Sequence, residues 1–180
     1  MVVIRKKGLN SIYSSQPMKK KIFTNCFLVK TDKEGNPTQV CLAMKKRGFG
    51  QGLWNGSGGK PQENEPIESA ARREVQEELG VIVKRLAKKG EIVFVLTQEE
   101  TIVSMHTFLV TDWENDPVDS EEMKPEWFAV DSVPYGQMWK ADEEWLPIIL
   151  SGKKIKAKYT YTCEGGNVTN REIEEVKSFD

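Results

Sequence analysis

This 180-residue chain contains three closely spaced glutamates, whose carboxylates are the side chains best suited to bind a positive ligand. On a helix Glu74, Glu77 and Glu78 project within about a third of the circumference, because successive residues turn by about 100°. Glu74 and Glu78 are then a like-charge pair four residues apart, which destabilises an isolated helix by roughly 0.2–0.5 kcal/mol. Two explanations stay open: a solvated acidic face, or a face that binds a positive ligand.

The loop before these glutamates favours a positive ligand. The segment KKRGFGQGLWNGSGGKP holds six glycines, and glycines let backbone groups approach a neighbouring helix face closely. Mg²⁺ takes oxygen ligands from a few carboxylates, keeps waters and is completed by substrate phosphates. Arg72 and Arg73 stand beside the glutamates and are candidates to orient them. We therefore predict a divalent-cation site where this loop meets the helix.

The same residues resemble the signature of the Nudix hydrolases. That pattern, G-x5-E-x7-R-E-U-x-E-E-x-G-U with U aliphatic, is filled without a gap from Gly59 to Val81. The resemblance implies an α/β fold with a mixed β-sheet sandwiched between α-helices, and metal-assisted substitution at phosphorus with Mg²⁺, or alternatively Mn²⁺. In such chemistry the metal neutralises phosphate charge and lowers the pKa of a bound water, while a carboxylate takes its proton.

Carried over by position, the resemblance implies a set of metal ligands and catalytic groups. They are Glu74, Glu77, Glu78, the carbonyl of Gly58 and, from outside the signature, Glu122 in DSEEMKP. Which carboxylate is the general base stays open.

Segments outside the signature resemble one subfamily, the oxidized purine nucleoside triphosphatases. They include MKKRGFGQGLWNGSGGK, SEEMKPEWF and MWKADEEWLP, and the similarity runs from about Lys21 to the C-terminus. This resemblance implies hydrolysis of a modified purine triphosphate such as 8-oxo-dGTP to the monophosphate and pyrophosphate, in sanitation of the nucleotide pool. Two alternatives are a Nudix hydrolase for another nucleotide, such as a dinucleoside polyphosphate, and a non-catalytic domain that binds nucleotide.

The subfamily resemblance also implies substrate-binding residues. They are Thr24, Lys45, Asn55, Ser57, Gly58, Gly59, Lys60, Phe94, Trp139 and Asp142. An amide both donates and accepts hydrogen bonds, as a purine edge requires, and a base stacked on an aromatic ring gains roughly 1–3 kcal/mol. Without the resemblance, Trp139 and Phe94 fit core positions, Asn55 fits a turn and Lys60 fits a solvated loop.

One position departs from the subfamily. Its members carry two adjacent aspartates after the stacking tryptophan, whereas this chain has Ala141 before Asp142. The pair serves to bind different oxidized purines by sharing or losing a proton. The departure therefore affects the breadth of substrate and leaves the phosphorus chemistry untouched.

The elements that must position these residues follow from patterning. Apolar, β-rich runs predict strands at Lys21–Lys30, Gln39–Met44, Glu91–Thr97, Thr101–Val110 and Glu126–Val130, and in KIKAKYTYTC. A helix is expected between Pro66 and Gly80, with Ala71, Val75 and Leu79 as its apolar stripe. A second helix is expected over Ala141–Leu150 with Pro147 near a kink or boundary, and Arg171–Ser178 fits a strand or a short helix. His106 lies within a strand and is expected to be structural.

Composition restricts the class of protein. A hydrophobic fraction of 38% and a charged fraction of 29% describe one globular domain. The net charge of −1 argues against binding a nucleic acid polymer, and no apolar run reaches the roughly 20 residues of a membrane span. Three sparse cysteines without a C-x-x-C pair suit a reducing compartment.

Residues 1–20 are expected to be a basic, flexible extension and residues 21–180 the Nudix domain, with a mitochondrial transit segment as the alternative for the extension. We expect a cytoplasmic monomer, with the nucleus and the mitochondrion as alternative compartments.

Overall fold

The structure is a computed structural model that describes residues 17–48, 50–162 and 166–179. Most of the expected basic extension lies outside these residues, so its nature stays a prediction. The first strand begins at Lys19, two residues before the expected start.

In the described residues, eight strands and two α-helices follow one another along the chain. The strands are β1 Lys19–Thr31, β2 Pro37–Lys45, β3 Trp54–Asn55, β4 Ile82–Leu96, β5 Thr101–Glu114, β6 Met123–Ala129, β7 Lys154–Tyr161 and β8 Val168–Val176; the helices are α1 Ile67–Leu79 and α2 Asp142–Leu150.

The strands form one mixed sheet in the order β3-β2-β1-β5-β4-β7-β8, with β6 paired to β2. The pairs β1–β5 and β4–β7 are parallel, and the others are antiparallel. β8 resolves the strand-or-helix alternative at the C-terminus, since it pairs with β7 along its length. No helix among the described residues is long and apolar enough to cross a membrane.

Alternation along the central strand places a core on each face of the sheet. In β1, Phe27 and Val29 join the cluster that packs with α2, whereas Cys26 and Leu28 join the cluster that packs with α1. Side chains in a strand point alternately to opposite faces, so one apolar run supplies both layers. The predicted arrangement, a mixed sheet between helices, is confirmed.

Helix α1 has the expected limits. Pro66 immediately precedes it, and Gly80 ends it with φ 71°, the left-handed conformation that glycine adopts easily. The stripe Ala71, Val75 and Leu79 is buried, as its spacing predicts.

Two elements differ from expectation. β4 begins at Ile82, nine residues before the predicted start at Glu91. Its early half pairs with β5 through register shifts around Arg85 and Gly90, and such irregularities interrupt the alternation by which a strand is found. In α2, Pro147 lies inside the helix, which continues to Leu150, so it marks no boundary.

Candidate active site

The glycine-rich loop packs against β1 through backbone hydrogen bonds. Ser57 and Cys26 exchange N–H···O bonds of 2.9 and 2.7 Å, and the N–H of Thr24 donates to the carbonyl of Gly59 at 2.8 Å. Thr24 is buried, and its hydroxyl lies 3.3 Å from both the N and the O of Gly59. The loop is therefore fixed as a short strand-like segment between β1 and α1.

Two glycines make this approach possible. A Cβ on Gly58 would lie 2.1 Å from the carbonyl oxygen of Thr24, and one on Gly59 would lie 2.4 Å from a carboxylate oxygen of Glu74. The Thr24 backbone leaves no room for a side chain at Gly58, so only glycine fits there, whereas at Gly59 the flexible end of the Glu74 side chain would have to move aside.

Glu78 connects α1 to the same loop from the other side. It is only 7% exposed, and its carboxylate accepts hydrogen bonds from the Ser57 hydroxyl at 2.8 Å and the Gly58 N–H at 2.9 Å. Burial raises the pKa of Glu78, and these two hydrogen bonds oppose the rise. Glu74 and Glu78 thus bracket Gly58 and Gly59, and a cation site at this place stays a prediction.

Arg73 donates hydrogen bonds to three acidic side chains of the signature. It donates to Glu65 through two nitrogens at 2.9 Å, to Glu74 at 2.8 Å and to Glu77 at 2.9 Å. The fork also donates to the Lys60 carbonyl at 3.1 Å. The pKa of Glu65 falls to about 2, chiefly because of its hydrogen bonds from Arg73. Arg73 therefore ties the loop to the helix and supplies the positive charge beside two predicted metal ligands.

Arg72 does not share this role. Its guanidinium donates to the carbonyl of Val83 at 2.6 Å and so joins α1 to the start of β4. Of the two arginines expected to orient the carboxylates, the structure assigns that position to Arg73 alone.

Glu122 lies on the turn before β6 and contacts Arg47, which donates to it at 2.6 Å. This bond lowers the pKa of Glu122. In the described part of the chain no three acidic, histidine or cysteine side chains converge as ready-made metal ligands. The predicted ligand set is thus arranged as two bracketing carboxylates, Glu74 and Glu78, with Glu77 and Glu122 held by arginines.

The charge of Lys45 affects both Glu78 and Glu122. The lysine ends β2, and its positive charge lowers the pKa of both Glu78 and Glu122. One lysine charge therefore acts on two of the predicted metal-binding carboxylates. Lys60, by contrast, places its ammonium 5.5 Å from the ring centre of Phe23.

The predicted base-binding residues lie on several elements. Asn55 is half-buried on β3, which pairs with β2, and Phe94 is on β4. Trp139 precedes α2 and reaches back to the glycine-rich loop, since a Cβ on Gly50 would lie 3.2 Å from its ring.

Asp142 is the first residue of α2 and is 4% exposed. Burial raises the pKa of its carboxyl to about 7, while a hydrogen bond from the Trp139 backbone and the nearby Trp145 indole oppose that rise. The indole N–H of Trp145 nevertheless has no hydrogen-bond partner of ordinary geometry among the described residues. A carboxyl group with a pKa near 7 is partly protonated at neutral pH, so it is able to donate or accept a hydrogen bond.

His106 lies on β5, where its register partners are Thr24 in β1 and Glu91 in β4. Burial lowers its pKa. Its placement within the sheet agrees with the structural role expected from the sequence.

Comparison with known families identifies the chain. The model of the NUDIX domain matches residues 23–148. The chain belongs to the Nudix family. This confirms the family resemblance and the fold that it implies.

Relatives of this Nudix chain cover most of its length. The oxidized purine nucleoside triphosphate hydrolase of Danio rerio is 42% identical over 142 residues, which are 78% of this chain and 90% of that protein. The protein of the same name from Mus musculus is 40% identical over 143 residues, 79% of this chain and 91% of that protein. Among solved structures, a mutator MutT protein from Bacillus halodurans is 28% identical with a TM-score of 0.73, and the match covers 86% of this chain and 97% of that one.

Two residues that contact predicted site residues of this Nudix chain were not anticipated from the sequence. Arg47 was not anticipated as the partner of Glu122, because the pairing joins segments 75 residues apart. Tyr159 stacks on Phe94 with ring centres 5.9 Å apart. The alternation of β7 could have indicated that Tyr159 is buried, since it places Ile155, Ala157 and Tyr159 on one face of the sheet.

Proposed function

We propose that this chain is a Mg²⁺-dependent Nudix hydrolase that converts modified purine nucleoside triphosphates, of the 8-oxo-dGTP type, to the monophosphate and pyrophosphate. The observation that carries the proposal is the bracketing of Gly58 and Gly59 by the carboxylates of Glu74 and Glu78. The oxidized purine nucleoside triphosphate hydrolases at 40–42% identity support the choice of substrate.

The proposed metal ligands are all oxygen donors. They are the Gly58 carbonyl, Glu74, Glu77, Glu78 and Glu122. This set fits a hard divalent cation, and Mg²⁺ and Mn²⁺ both accept carboxylate and carbonyl oxygens. When bound, such an ion neutralises phosphate charge and makes a water acidic enough to act as a nucleophile.

The chain's own residues hold and orient the reacting groups. The bonds from Ser57 and Gly58 hold Glu78, and Arg73 holds Glu74 and Glu77. Lys45, whose positive charge acts on Glu78 and Glu122, is the proposed partner of a phosphate oxygen. Lys60 is a weaker candidate for the same contact.

We assign base recognition to the other end of the loop. Trp139 stacks on the purine, Asn55 and Asp142 hydrogen-bond its edge, and Phe94 lines the pocket. Thr24 supports substrate binding from the opposite end, where it contacts Gly59. Ser57 and Gly59 shape the loop under the triphosphate, because their contacts with β1 and α1 fix its path.

The test is a panel of nucleotides with Mg²⁺, in which release of pyrophosphate is measured against release of phosphate. We expect pyrophosphate from 8-oxo-dGTP and at least a hundredfold loss in Glu78→Gln, which removes a ligand charge at constant volume. Glu68→Gln, an exposed glutamate of the same helix, is the matched control and should retain parental rates. A preference for dinucleoside polyphosphates, or binding without turnover, would overturn the proposal.

We further propose that the enzyme is a cytoplasmic monomer. The sparse cysteines, of which Cys26 and Cys41 are unpaired in the described residues, support a reducing compartment. A dimer mass in light scattering at micromolar concentration would contradict the monomer.

A further inference from the structure

The glycine-rich loop holds a proposed metal ligand at each of its ends. Near its end, Ser57 and Gly58 donate to the carboxylate of Glu78 at 2.8 and 2.9 Å. Near its start, Arg47 donates to the carboxylate of Glu122 at 2.6 Å. Glu78 belongs to α1 and Glu122 to the turn before β6, so one loop joins two elements that the proposed function brings to the same cation.

The backbone of Glu122 is fixed to the start of this loop. The N–H of Lys46 donates to the Glu122 carbonyl at 2.8 Å, and its ammonium donates to the Ser120 carbonyl at 2.7 Å and to the carboxylate of Asp119. The Ser120 hydroxyl in turn accepts hydrogen bonds from the N–H groups of Glu122 and Met123, at 3.3 and 3.1 Å. These contacts leave only the side chain of Glu122 without a position set by the backbone.

Arg47 sets the position of that side chain. Its Nη2 atom donates to Oε1 of Glu122, and among the described residues Arg47 is the one side chain that bonds this carboxylate. A carboxylate accepts several hydrogen bonds or metal contacts through its two oxygens. Because Arg47 contacts Oε1, the lone pairs of Oε2 stay available to another ligand.

The contact between Arg47 and Glu122 contributes little to the fold itself. The side chain of Arg47 is 59% exposed and that of Glu122 is 44% exposed, and ion pairs this open to water add little to stability. A positive charge beside a metal ligand also repels a cation, so charge alone would weaken metal binding. Orientation of Glu122 is therefore the effect by which this arginine would favour a bound cation.

We propose that Arg47 is a positioning residue, which fixes Glu122 through Oε1 so that Oε2 is available to the divalent cation. The inference rests on the proposed function and deepens it. Groups that orient a metal ligand typically raise metal affinity or activity by about 10- to 100-fold. Arg47 orients Glu122 from the loop, as Arg73 holds Glu74 and Glu77 from the helix.

The test measures binding of Mn²⁺ alone to the full chain, from the electron paramagnetic resonance signal of the free ion. In Arg47→Met we expect the dissociation constant to rise about tenfold, with an unchanged melting temperature in the absence of metal. Charge alone predicts the opposite sign, because loss of a positive charge tightens cation binding. Arg47→Lys keeps one N–H donor for Oε1 and should restore most of the affinity.

Glu121→Gln is the matched control, since Glu121 lies 3.6 Å from the same guanidinium and its side chain is 88% exposed. It should bind Mn²⁺ as the parent does. A double-mutant cycle then tests whether Arg47 acts through Glu122. Once Glu122→Gln has removed the carboxylate charge, Arg47→Met should cause no further loss of affinity.

Unchanged or tighter Mn²⁺ binding in Arg47→Met would overturn the inference, as would an equal loss of affinity whether or not Glu122 is replaced. A lower melting temperature of metal-free Arg47→Met would assign the residue to the fold and would overturn the inference too. After any of these results, a parent that releases pyrophosphate from 8-oxo-dGTP still upholds the proposed function. A parent that turns over no modified purine would overturn the proposed function itself.

Discussion

At the scale of single residues, two carboxyl groups are buried to a similar degree but differ in their hydrogen-bond partners. Burial raises the pKa of Glu78 and of Asp142. Glu78 receives hydrogen bonds from Ser57 and Gly58, which stabilise its charged form and hold it against the loop. Asp142 lies at a helix start among aromatic side chains, and its pKa stays near 7. One carboxylate is thus held in the position proposed for a metal ligand, and the other is able to change its proton state within the physiological range.

Asp142 should make the free energy of unfolding depend on pH. Its folded pKa of about 7 exceeds the ordinary value of 3.8, so the folded state binds the proton more tightly between these values. Stability from this group is therefore present at low pH and lost as pH rises towards 7, by at most about 1.4 kcal/mol per pH unit. Urea unfolding at pH 5 and pH 8 should show a larger loss in the parent than in Asp142→Asn.

Groups common to both proteins, including Glu78, cancel in that comparison. An equal loss between pH 5 and pH 8 in the parent and in Asp142→Asn would contradict the assigned pKa.

At the scale of elements, the site depends on how α1 meets the glycine-rich loop. Arg73 donates to residues of both, namely the Lys60 carbonyl and Glu65 before the helix and Glu74 and Glu77 on it. Arg72, the next residue along the same helix, points elsewhere and bonds Val83. Arg73 therefore has contacts within the proposed site, whereas Arg72 has a contact that only supports the fold.

Arg73→Gln should lower kcat/KM for 8-oxo-dGTP by about 10- to 100-fold, the usual effect of removing a group that orients metal ligands. Arg72→Gln is the control; it should lower the melting temperature, since a charged hydrogen bond is lost, and keep kcat/KM within a few-fold of the parent. Steady-state kinetics at saturating Mg²⁺ and thermal melts measure both. Equal kinetic losses in the two variants would show that Arg73 acts through the fold alone.

We expect the start of α2 to influence which purines bind. Ala141 is 1% exposed and packs in the apolar cluster with Trp145, so Ala141→Asp would bury a second carboxyl beside Asp142. Two such groups share a proton and offer donor and acceptor together. The ratio of kcat/KM for 2-oxo-dATP to that for O6-methyl-dGTP should therefore rise in Ala141→Asp.

Lys140→Asp is the control, because it adds the same carboxylate one residue away at an exposed position. It should leave the ratio unchanged. A ratio that stays constant or falls in Ala141→Asp would mean that this position does not set base selectivity.

At the scale of the whole molecule, the sheet order brings distant segments to one site. β1 lies between β2 and β5, so it contacts the glycine-rich loop while its neighbours lead to Lys45 and to β4. The helices cover opposite faces, with α1 supplying carboxylates and α2 supplying Asp142. The proposed metal and base sites are thus built by different layers of one fold.

Divalent cations should stabilise the whole fold. An ion that binds only the folded state adds about 2.7 kcal/mol at a hundred times its dissociation constant, and it also relieves repulsion between Glu74 and Glu78. Differential scanning fluorimetry should show a melting temperature that rises with Mg²⁺ in the parent and rises much less in Glu74→Gln and Glu78→Gln. Glu68→Gln, exposed on the same helix, should respond as the parent does. A parental response in both ligand variants would place the ion elsewhere.

Local patterns in the sequence were enough to determine the family, the limits of α1 and the identity of the signature residues. Those features depend on neighbours within a few positions: a proline before the helix, a glycine after it, and carboxylates spaced to share one face. The partners of these residues were decided only by the tertiary structure. Arg47 meets Glu122 and Tyr159 meets Phe94 because sheet pairing joins segments far apart in the chain.

The environment of each group was likewise decided by the fold. Sequence placed Asp142 after Ala141, but its pKa near 7 follows from burial between α2 and the sheet. β4 was found only in part, because its register shifts remove the alternation that local patterning needs. Spacing along the chain thus determines which side chains share a face, whereas burial, charge partners and unpaired groups depend on which faces the tertiary fold brings together.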